Sequence, residues 1–168
     1  MEKGFEKKEP KEKKEGKKQT KSARSNQGRK NRAAGRRFET KVREKLESMG
    51  WVVAKWMNTV DYNRNDRTGK IVPAKRKYNP FLKSLSIGTG FPDFICFKRD
   101  ENGNFEVIGL EVKANGYLDQ VEKGMCLWLI ENKIFSRILI AKRKIDGRKI
   151  EVEYIDFYDK YKKDFQSQ

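Results

Sequence analysis

Two carboxylates and one ammonium group lie within the stretch GFPDFICFKRDENGNFEVIGLEVKANG, residues 90–116. Asp93 begins one apolar run, and Glu111 and Lys113 close the next. Because side chains alternate along a strand, Glu111 and Lys113 leave the same face. If residues 99–104 form a hairpin loop, Asp93 folds back beside this pair. The sequence therefore predicts that the three side chains converge at the ends of two neighbouring strands.

Such a cluster suits metal-assisted hydrolysis of a phosphodiester bond. Mg²⁺ takes one or two carboxylates together with water and substrate phosphate, and Mn²⁺ can substitute for it. A lysine beside the metal can orient or deprotonate the attacking water and balance negative charge. The chain contains no histidine, which excludes Ser-His-Asp and Cys-His sites and histidine general bases. The alternatives are an exposed strand pair for Glu111 and Lys113, and a turn or cap role for Asp93.

The elements that must position the cluster are predicted from the spacing of apolar residues. Apolar residues at helical spacing, followed by a glycine, predict a helix over about residues 36–49. Strands are predicted over 51–57, 91–98, 105–113, 136–143 and 148–157, with further helices over 116–133 and at the carboxyl end. A strand, a helix and a strand in succession imply a parallel pair. The expected fold class is α/β, with helices flanking a mixed β-sheet in one domain over residues 38–168.

Positive charge is concentrated in two blocks of this chain, whose 168 residues carry a formal net charge of +16. Residues 1–37 hold 15 Lys and Arg against 5 Glu, and residues 61–87 hold 7 against 2 Asp. The first block, with one large apolar residue, is predicted to be a disordered basic tail, and the second a basic loop insertion. Both favour nucleic acid over an anionic membrane as the partner. The alternatives are a solubility tail or localisation signal, and a solvated insertion.

The remaining composition indicates a soluble protein. Cys96 and Cys126 lie in apolar runs, and their spacing fits no zinc motif, so they are interpreted as reduced core residues. The charged amino terminus precedes no apolar segment, which predicts no secretory signal. The longest apolar run, residues 125–130, is too short to span a bilayer. We expect a cytoplasmic protein with no membrane partner.

The order of motifs resembles that of the PD-(D/E)xK nuclease superfamily. Pro92-Asp93, a hairpin and then Glu111-Val112-Lys113 carry the resemblance, together with the preceding helix that holds Glu39 and the helix that follows. Within the superfamily, residues 36–142 look most like the archaeal Holliday junction resolvase-like branch. The resemblance implies a restriction-endonuclease-like core and a symmetric homodimer.

The resemblance also implies roles for individual residues. Asp93 and Glu111 would ligate Mg²⁺ together with the carbonyl oxygen of Val112. Lys113 would be the catalytic lysine. Glu39 would be a catalytic acid that contacts the metal directly or through water, and its alternative is an ordinary acid on the helix surface.

Relatives place a further polar residue on the helix after this lysine, and a hydroxyl residue before the first strand of the hairpin. Gln120 is preferred for the helix position over Glu122 and Lys123, as an amide able to contact phosphate or water. Ser86 or Thr89 would supply the hydroxyl, with ordinary loop residues as the alternative. The residues expected to contact nucleic acid are Lys75, Arg76, Lys77, Arg36 and Arg37.

We therefore expect a Mg²⁺-dependent DNA endonuclease, possessing selectivity for a DNA structure such as a Holliday junction. The insertion and the tail depart from the resolvase pattern, so the sequence does not choose among junction, flap, linear duplex and single strand. The alternative function is a non-catalytic nucleic-acid-binding protein that uses the tail and the loop for phosphate contact. A binding protein does not require the two acids and the lysine to converge, whereas the nuclease does.

Overall fold

The computed structural model describes residues 21–79, 84–87, 90–147 and 149–166, with side chains described for 26–75, 90–147 and 149–164. The helices are α1 (Lys21–Ser48), α2 (Gln120–Glu131) and α3 (Phe157–Gln166). The strands are β1 (Val52–Lys55), β2 (Asn58–Asn63), β3 (Thr68–Pro73), β4 (Arg76–Asn79), β5 (Ser84–Ile87), β6 (Phe94–Arg99), β7 (Phe105–Val112), β8 (Arg137–Asp146) and β9 (Lys149–Asp156). The chain divides into two units after Ala33, and these strands all belong to the second unit.

Five strands form a mixed sheet in the order β1-β6-β7-β8-β9. β7 and β8 are parallel, and the other neighbours are antiparallel. α2 connects the parallel pair, as predicted, because parallel neighbours need a crossover. β7 is central and is buried from Ile108 to Glu111. The predicted α/β fold, with helices flanking a mixed sheet, is confirmed at this level, and the restriction-endonuclease-like core stays a prediction.

Helices cover both faces of this sheet. Phe38, Val42 and Leu46 of α1 recur at helical spacing and pack in one cluster that includes Leu110. The cluster on the other face includes Cys126, Leu129, Ile138, Ile140, Phe157 and Tyr161. Because alternate residues of a strand point to opposite faces, Glu111 leaves the face opposite to Leu110, which α2 and α3 cover. Among the described residues, no helix has both the length and the apolar character to span a membrane.

α1 begins at Lys21, well before the predicted start near residue 36. The prediction of a disordered tail is therefore wrong over residues 21–37, and residues 1–20 lie outside the described residues. The early part of α1 has no apolar stripe, but its five Arg, three Ala, two Lys and one Gln between residues 21 and 37 are good helix formers. Each further residue adds one hydrogen bond to a helix that already exists, so packed turns allow it to extend. Gln27 also donates to the side chain of Asn31 at 2.8 Å.

The segment 61–87, predicted to be a loop insertion, instead contains β-structure. β2 pairs with β3 and β4 pairs with β5, both antiparallel. Side chains close the first turn: Asn63 donates to Asp66 at 3.0 Å, and the Thr68 N–H donates to the same carboxylate at 3.0 Å. The Asn and Asp residues that suggested a loop therefore build a tight turn between two strands.

The segment that leads into β6 is held by close backbone contact at Gly90. The Phe91 N–H donates to the carbonyl oxygen of Asn58 at 2.9 Å, and the Trp56 N–H donates to that of Asp93 at 3.1 Å. A Cβ atom at Gly90 would lie 2.2 Å from the carbonyl oxygens of both Trp56 and Asn58. Only glycine allows this approach, which fixes the backbone just before Asp93.

We expect Gly90→Ala to lower the free energy of unfolding by about 2 kcal/mol, because backbone must move to relieve the overlap. Gly35→Ala is the matched control: its Cβ would meet nothing within 4 Å, and alanine is the better helix former. Urea denaturation followed by circular dichroism measures both variants. Wild-type stability in Gly90→Ala would contradict the close approach.

Candidate active site

Asp93 and Glu111 lie side by side at the ends of β6 and β7. In the antiparallel register Phe94 is opposite Leu110, so the residue before β6 falls opposite Glu111. The Asp93 N–H donates to Glu111 Oε2 at 3.1 Å, and the Val112 N–H donates to Asp93 Oδ2 at 3.0 Å. Each carboxylate thus accepts a hydrogen bond from the other strand, which fixes both side chains. The predicted convergence of the two acids is confirmed.

Lys113 joins the cluster through two carboxylates. Its Nζ lies 3.4 Å from Glu111 Oε1 and forms a closer ion pair with Glu122 on α2. Glu122 is held in turn by a capping box at the start of α2, where its Oε2 accepts from the Asp119 N–H at 2.9 Å. The lysine is therefore oriented between a strand acid and a helix acid, and its predicted place beside Glu111 is confirmed.

Glu39 pairs with Lys55, which was not predicted as a site residue. The Lys55 Nζ lies 2.8 Å from Glu39 Oε2 and 4.1 Å from the ring centroid of Phe94. Lys55 ends β1 and is opposite Phe94 in the sheet register, so it stands next to Asp93. Glu39 therefore borders the cluster through an ion pair. Sequence reasoning missed Lys55 because its position depends on the pairing of β1 with β6, which no local pattern reveals.

Burial raises the pKa of both acids. Glu111 is only 5% exposed, and burial raises its pKa to about 8, with the charge of Asp93 adding to the rise and that of Lys113 opposing it. Burial also raises the pKa of Asp93; the charge of Lys55 opposes this rise and that of Glu39 adds to it. The charged forms of two adjacent carboxyl groups are thus disfavoured, and a bound cation would relieve both.

Lys113 is a cation at neutral pH. Burial lowers the pKa of its ammonium group, but the hydrogen bond to Glu122 and the charge of Glu111 outweigh burial, and the net effect raises the pKa. A lysine with a raised pKa is a poor proton acceptor. The site therefore offers a fixed positive charge beside two acids rather than a general base.

α2 presents Glu122, and not Gln120, to the cluster. The preference for Gln120 is wrong because residues two apart on a helix are separated by about 200° and face different ways. Gln120 is exposed and lines a groove that also includes Tyr62. Lys123 is likewise engaged elsewhere, in an ion pair with Asp164 of α3 at 2.8 Å.

The other predicted residues are spread over the chain. Arg36, Arg37 and Lys75 are exposed. Arg76 and Lys77 lie in β4 and Ser86 in β5, where only the main chain is described, and Thr89 lies outside the described residues. Their contact with nucleic acid, and a hydroxyl group at the site, therefore stay predictions.

The oxygen donors of the cluster fit a hard divalent cation. Asp93 and Glu111 present two carboxylates at one end of the sheet, and Mg²⁺ takes one or two carboxylates, with water completing its octahedron. Within the described parts of the chain, no group of three or more acidic or cysteine side chains could hold a metal ion. The expected protein ligands are therefore these two acids, and a contribution from the carbonyl oxygen of Val112 stays a prediction.

No family model, curated protein or solved structure matches this chain. The resemblance to the PD-(D/E)xK nucleases therefore depends on the sequence pattern and the geometry of the cluster.

Proposed function

We propose that this protein is a metal-dependent nuclease that hydrolyses phosphodiester bonds in DNA. The observation that carries the proposal is the hydrogen bonding that fixes both acids, from the Asp93 N–H to Glu111 and from the Val112 N–H to Asp93, with the Lys113 ammonium 3.4 Å from Glu111. Burying Glu111, which is only 5% exposed, beside a second carboxylate lowers the stability of the fold, so we expect this acid to be retained for a function. Metal-assisted hydrolysis is a function that requires this arrangement.

In this proposal Asp93 and Glu111 hold Mg²⁺ or Mn²⁺. When bound, the ion stabilises negative charge on the phosphoryl oxygens and lowers the pKa of an attacking water. The hydrogen bonds that fix each carboxylate to the opposite strand hold the two ligands in place before substrate arrives, which limits reorganisation during the reaction. Glu39 and Lys55 border the same site and would adjust its charge.

Lys113 places positive charge against the phosphate group in this mechanism. Its ammonium carries three donors, and it can contact a phosphate oxygen or the attacking water while it keeps its bond to Glu122. Negative charge that develops in the transition state is thereby offset. Glu122 acts as a positioning residue, because the capping box fixes its own place on α2.

Positive charge favours nucleic acid as the substrate. The chain carries a net charge of +16, and exposed Arg36 and Arg37 precede Glu39 on α1. Contacts between such cations and phosphates release counterions and stabilise binding. DNA rather than RNA, selectivity for a Holliday junction or another DNA structure, a homodimer and a restriction-endonuclease-like core are proposed on the resemblance alone.

The ion pair between Lys113 and Glu122 favours a second candidate, a non-catalytic nucleic-acid-binding protein. A lysine that is fully engaged by Glu111 and Glu122 forms a closed network, which can be structural. The binding protein would use the same positive surface and would need no metal.

A cleavage assay separates these candidates. Four-way junction, flap, duplex and single-stranded DNA would be incubated with the wild type in Mg²⁺, Mn²⁺ or EDTA. We expect cleavage that requires the metal, and we expect Lys113→Ala to be slower on the order of 10²- to 10³-fold. Lys123→Ala is the matched control, because this lysine of α2 pairs with Asp164 away from the cluster.

Cleavage in EDTA, or equal rates in Lys113→Ala and Lys123→Ala, would contradict the proposed site. If no substrate is cut while DNA is still bound, the non-catalytic protein is the better conclusion. The preferred substrate, in turn, identifies the structure that the protein recognises.

A further inference from the structure

A cleft between α1 and the β8–β9 pair is lined by three cations and no acid. Its volume is about 250 Å³, and the described residues that line it are Ala34, Arg37, Phe38, Lys41, Arg143 and Ile150. Like charges around a space of this size repel one another. An anion between them would replace that repulsion by attraction.

The fold fixes two of these cations. The Lys41 ammonium donates to the carbonyl oxygen of Ile150. The Arg143 guanidinium lies 5.2 Å from the ring centroid of Phe38, and its Nε is buried without a hydrogen-bond partner in the described part of the chain. A buried donor without a protein acceptor is unfavourable, so this N–H is available to an oxygen of a bound anion.

The cleft lies at the same end of the sheet as the acidic cluster. The Arg143 N–H donates to the carbonyl oxygen of Ala114 at 3.2 Å, and the Lys113 N–H donates to that of Ala141 at 3.0 Å. Adjacent strands are about 4.8 Å apart and residues rise by about 3.3 Å, so the backbones of Arg143 and Lys113 are neighbours within about 10 Å. On α1, Arg37 precedes Glu39 by two residues. The cleft faces α1 and the acidic cluster faces α2, on opposite sides of the sheet, so a strand of nucleic acid that crosses this end of the sheet can reach both places.

We propose that this cleft binds a backbone phosphate of the substrate beyond the bond that is cut. The inference rests on the nucleic-acid function proposed above and adds Lys41 and Arg143 to it, two residues that the sequence pattern did not single out. An arginine presents a planar fork of donors that matches the oxygens of a phosphate group. Free inorganic phosphate offers the same oxygens, so the experiment must separate the two sources.

Lys41→Gln and Lys45→Gln form a matched pair for the test. Both lysines lie on α1 and donate to carbonyl oxygens of β9, Lys41 to Ile150 and Lys45 to Val152 at 3.0 Å, but only Lys41 lines the cleft. Binding of a short DNA duplex would be followed by fluorescence anisotropy in EDTA over a series of salt concentrations. We expect Lys41→Gln to weaken binding roughly 5-fold and to lower the salt slope by about 1. Lys45→Gln should leave the slope unchanged.

Arg143→Gln provides a second variant with the same expected loss, and thermal melting verifies that it folds. Equal effects of Lys41→Gln and Lys45→Gln on affinity and slope would overturn the proposal, because only general charge would then matter. A titration with inorganic phosphate is the second arm. If inorganic phosphate binds as tightly as DNA while Lys41→Gln leaves the DNA affinity unchanged, the cleft is a small-anion site and the proposal is overturned.

These measurements need no cleavage, so they are independent of the nuclease test. Binding that depends on Lys41 and Arg143 without any cleavage would retain the phosphate site and reject the nuclease. Metal-dependent cleavage, with DNA affinity unchanged by substitution of Lys41 or Arg143, would support the nuclease and reject the phosphate site.

Discussion

Glu111→Gln is expected to lower the rate of metal-dependent cleavage by at least about 10³-fold. Glutamine has the shape of glutamate but no negative charge, so the variant would lose one of the two carboxylates that face each other across β6 and β7. DNA affinity should stay close to that of the wild type, because phosphate contacts come from cations elsewhere on the chain. Single-turnover cleavage and anisotropy in EDTA measure the two quantities separately.

Glu106→Gln is the control for this experiment. Glu106 lies on the same strand and pairs with Arg137 at 2.9 Å, with a side chain that is 38% exposed. The Glu106→Gln variant should cleave DNA at the wild-type rate, because loss of an exposed ion pair has little effect on stability. A cleavage rate that is the same in Glu111→Gln and Glu106→Gln would remove Glu111 from the mechanism.

The second large effect concerns the stability of the metal-free protein as a function of pH. Burial raises the pKa of Glu111 from 4.5 to about 8 in the folded state. Below pH 4.5 both states hold the proton; between these values only the folded state does. The unfolded state then binds fewer protons, so the free energy of unfolding falls as the pH rises towards 8. The full loss is on the order of 5 kcal/mol.

Denaturant titrations in EDTA across this pH range test the effect. Glu111→Gln has no carboxyl group at this position, so its stability should fall less steeply, and it should gain on the wild type as the pH rises. The structural interpretation of the Lys113 network requires the opposite, since the ion pair forms only when Glu111 is charged. A wild-type protein that becomes more stable from pH 5 to 8, relative to this variant, would support that interpretation instead.

The core of the site could be predicted because it follows from two local rules. Strand alternation put Glu111 and Lys113 on one face, and a short hairpin loop set Asp93 opposite them. Neither rule depends on the rest of the chain. Lys55 could not be found this way, because it lies beside Asp93 only through the pairing register of β1 and β6. Lys55 and Asp93 are 38 positions apart in the sequence, so no local rule connects them.

The choice of Gln120 over Glu122 failed for a different reason, which is the phase of a helix. The helix was predicted from residue 116, whereas α2 begins at Gln120 with Asp119 as its cap. An aspartate followed three residues later by a glutamate is a signature of a capping box. That signal was present in the sequence, and it would have placed Glu122 on the first turn, where its side chain folds back towards the end of β7.

The secondary structure outside the sheet was predicted least well, because the abundance of charged and polar residues in these segments obscures their helix propensity and turn chemistry. In residues 21–37 the many cations hid a series of good helix formers. In residues 61–87 polar turn residues hid two antiparallel strand pairs. Polarity therefore described the solvent exposure of these segments better than it described their backbone.

The carboxylate of Glu122 has two tasks at once. One oxygen accepts from the Asp119 N–H and closes the first turn of α2, and the other holds the Lys113 ammonium. Fraying of the first turn of α2 would therefore release the lysine. A ligand that binds Lys113 would change the stability of the same turn, because both share Glu122. The amide hydrogens of Asp119 and Glu122 thus become reporters, whose exchange with deuterated solvent registers events at the acidic cluster without a probe inside it.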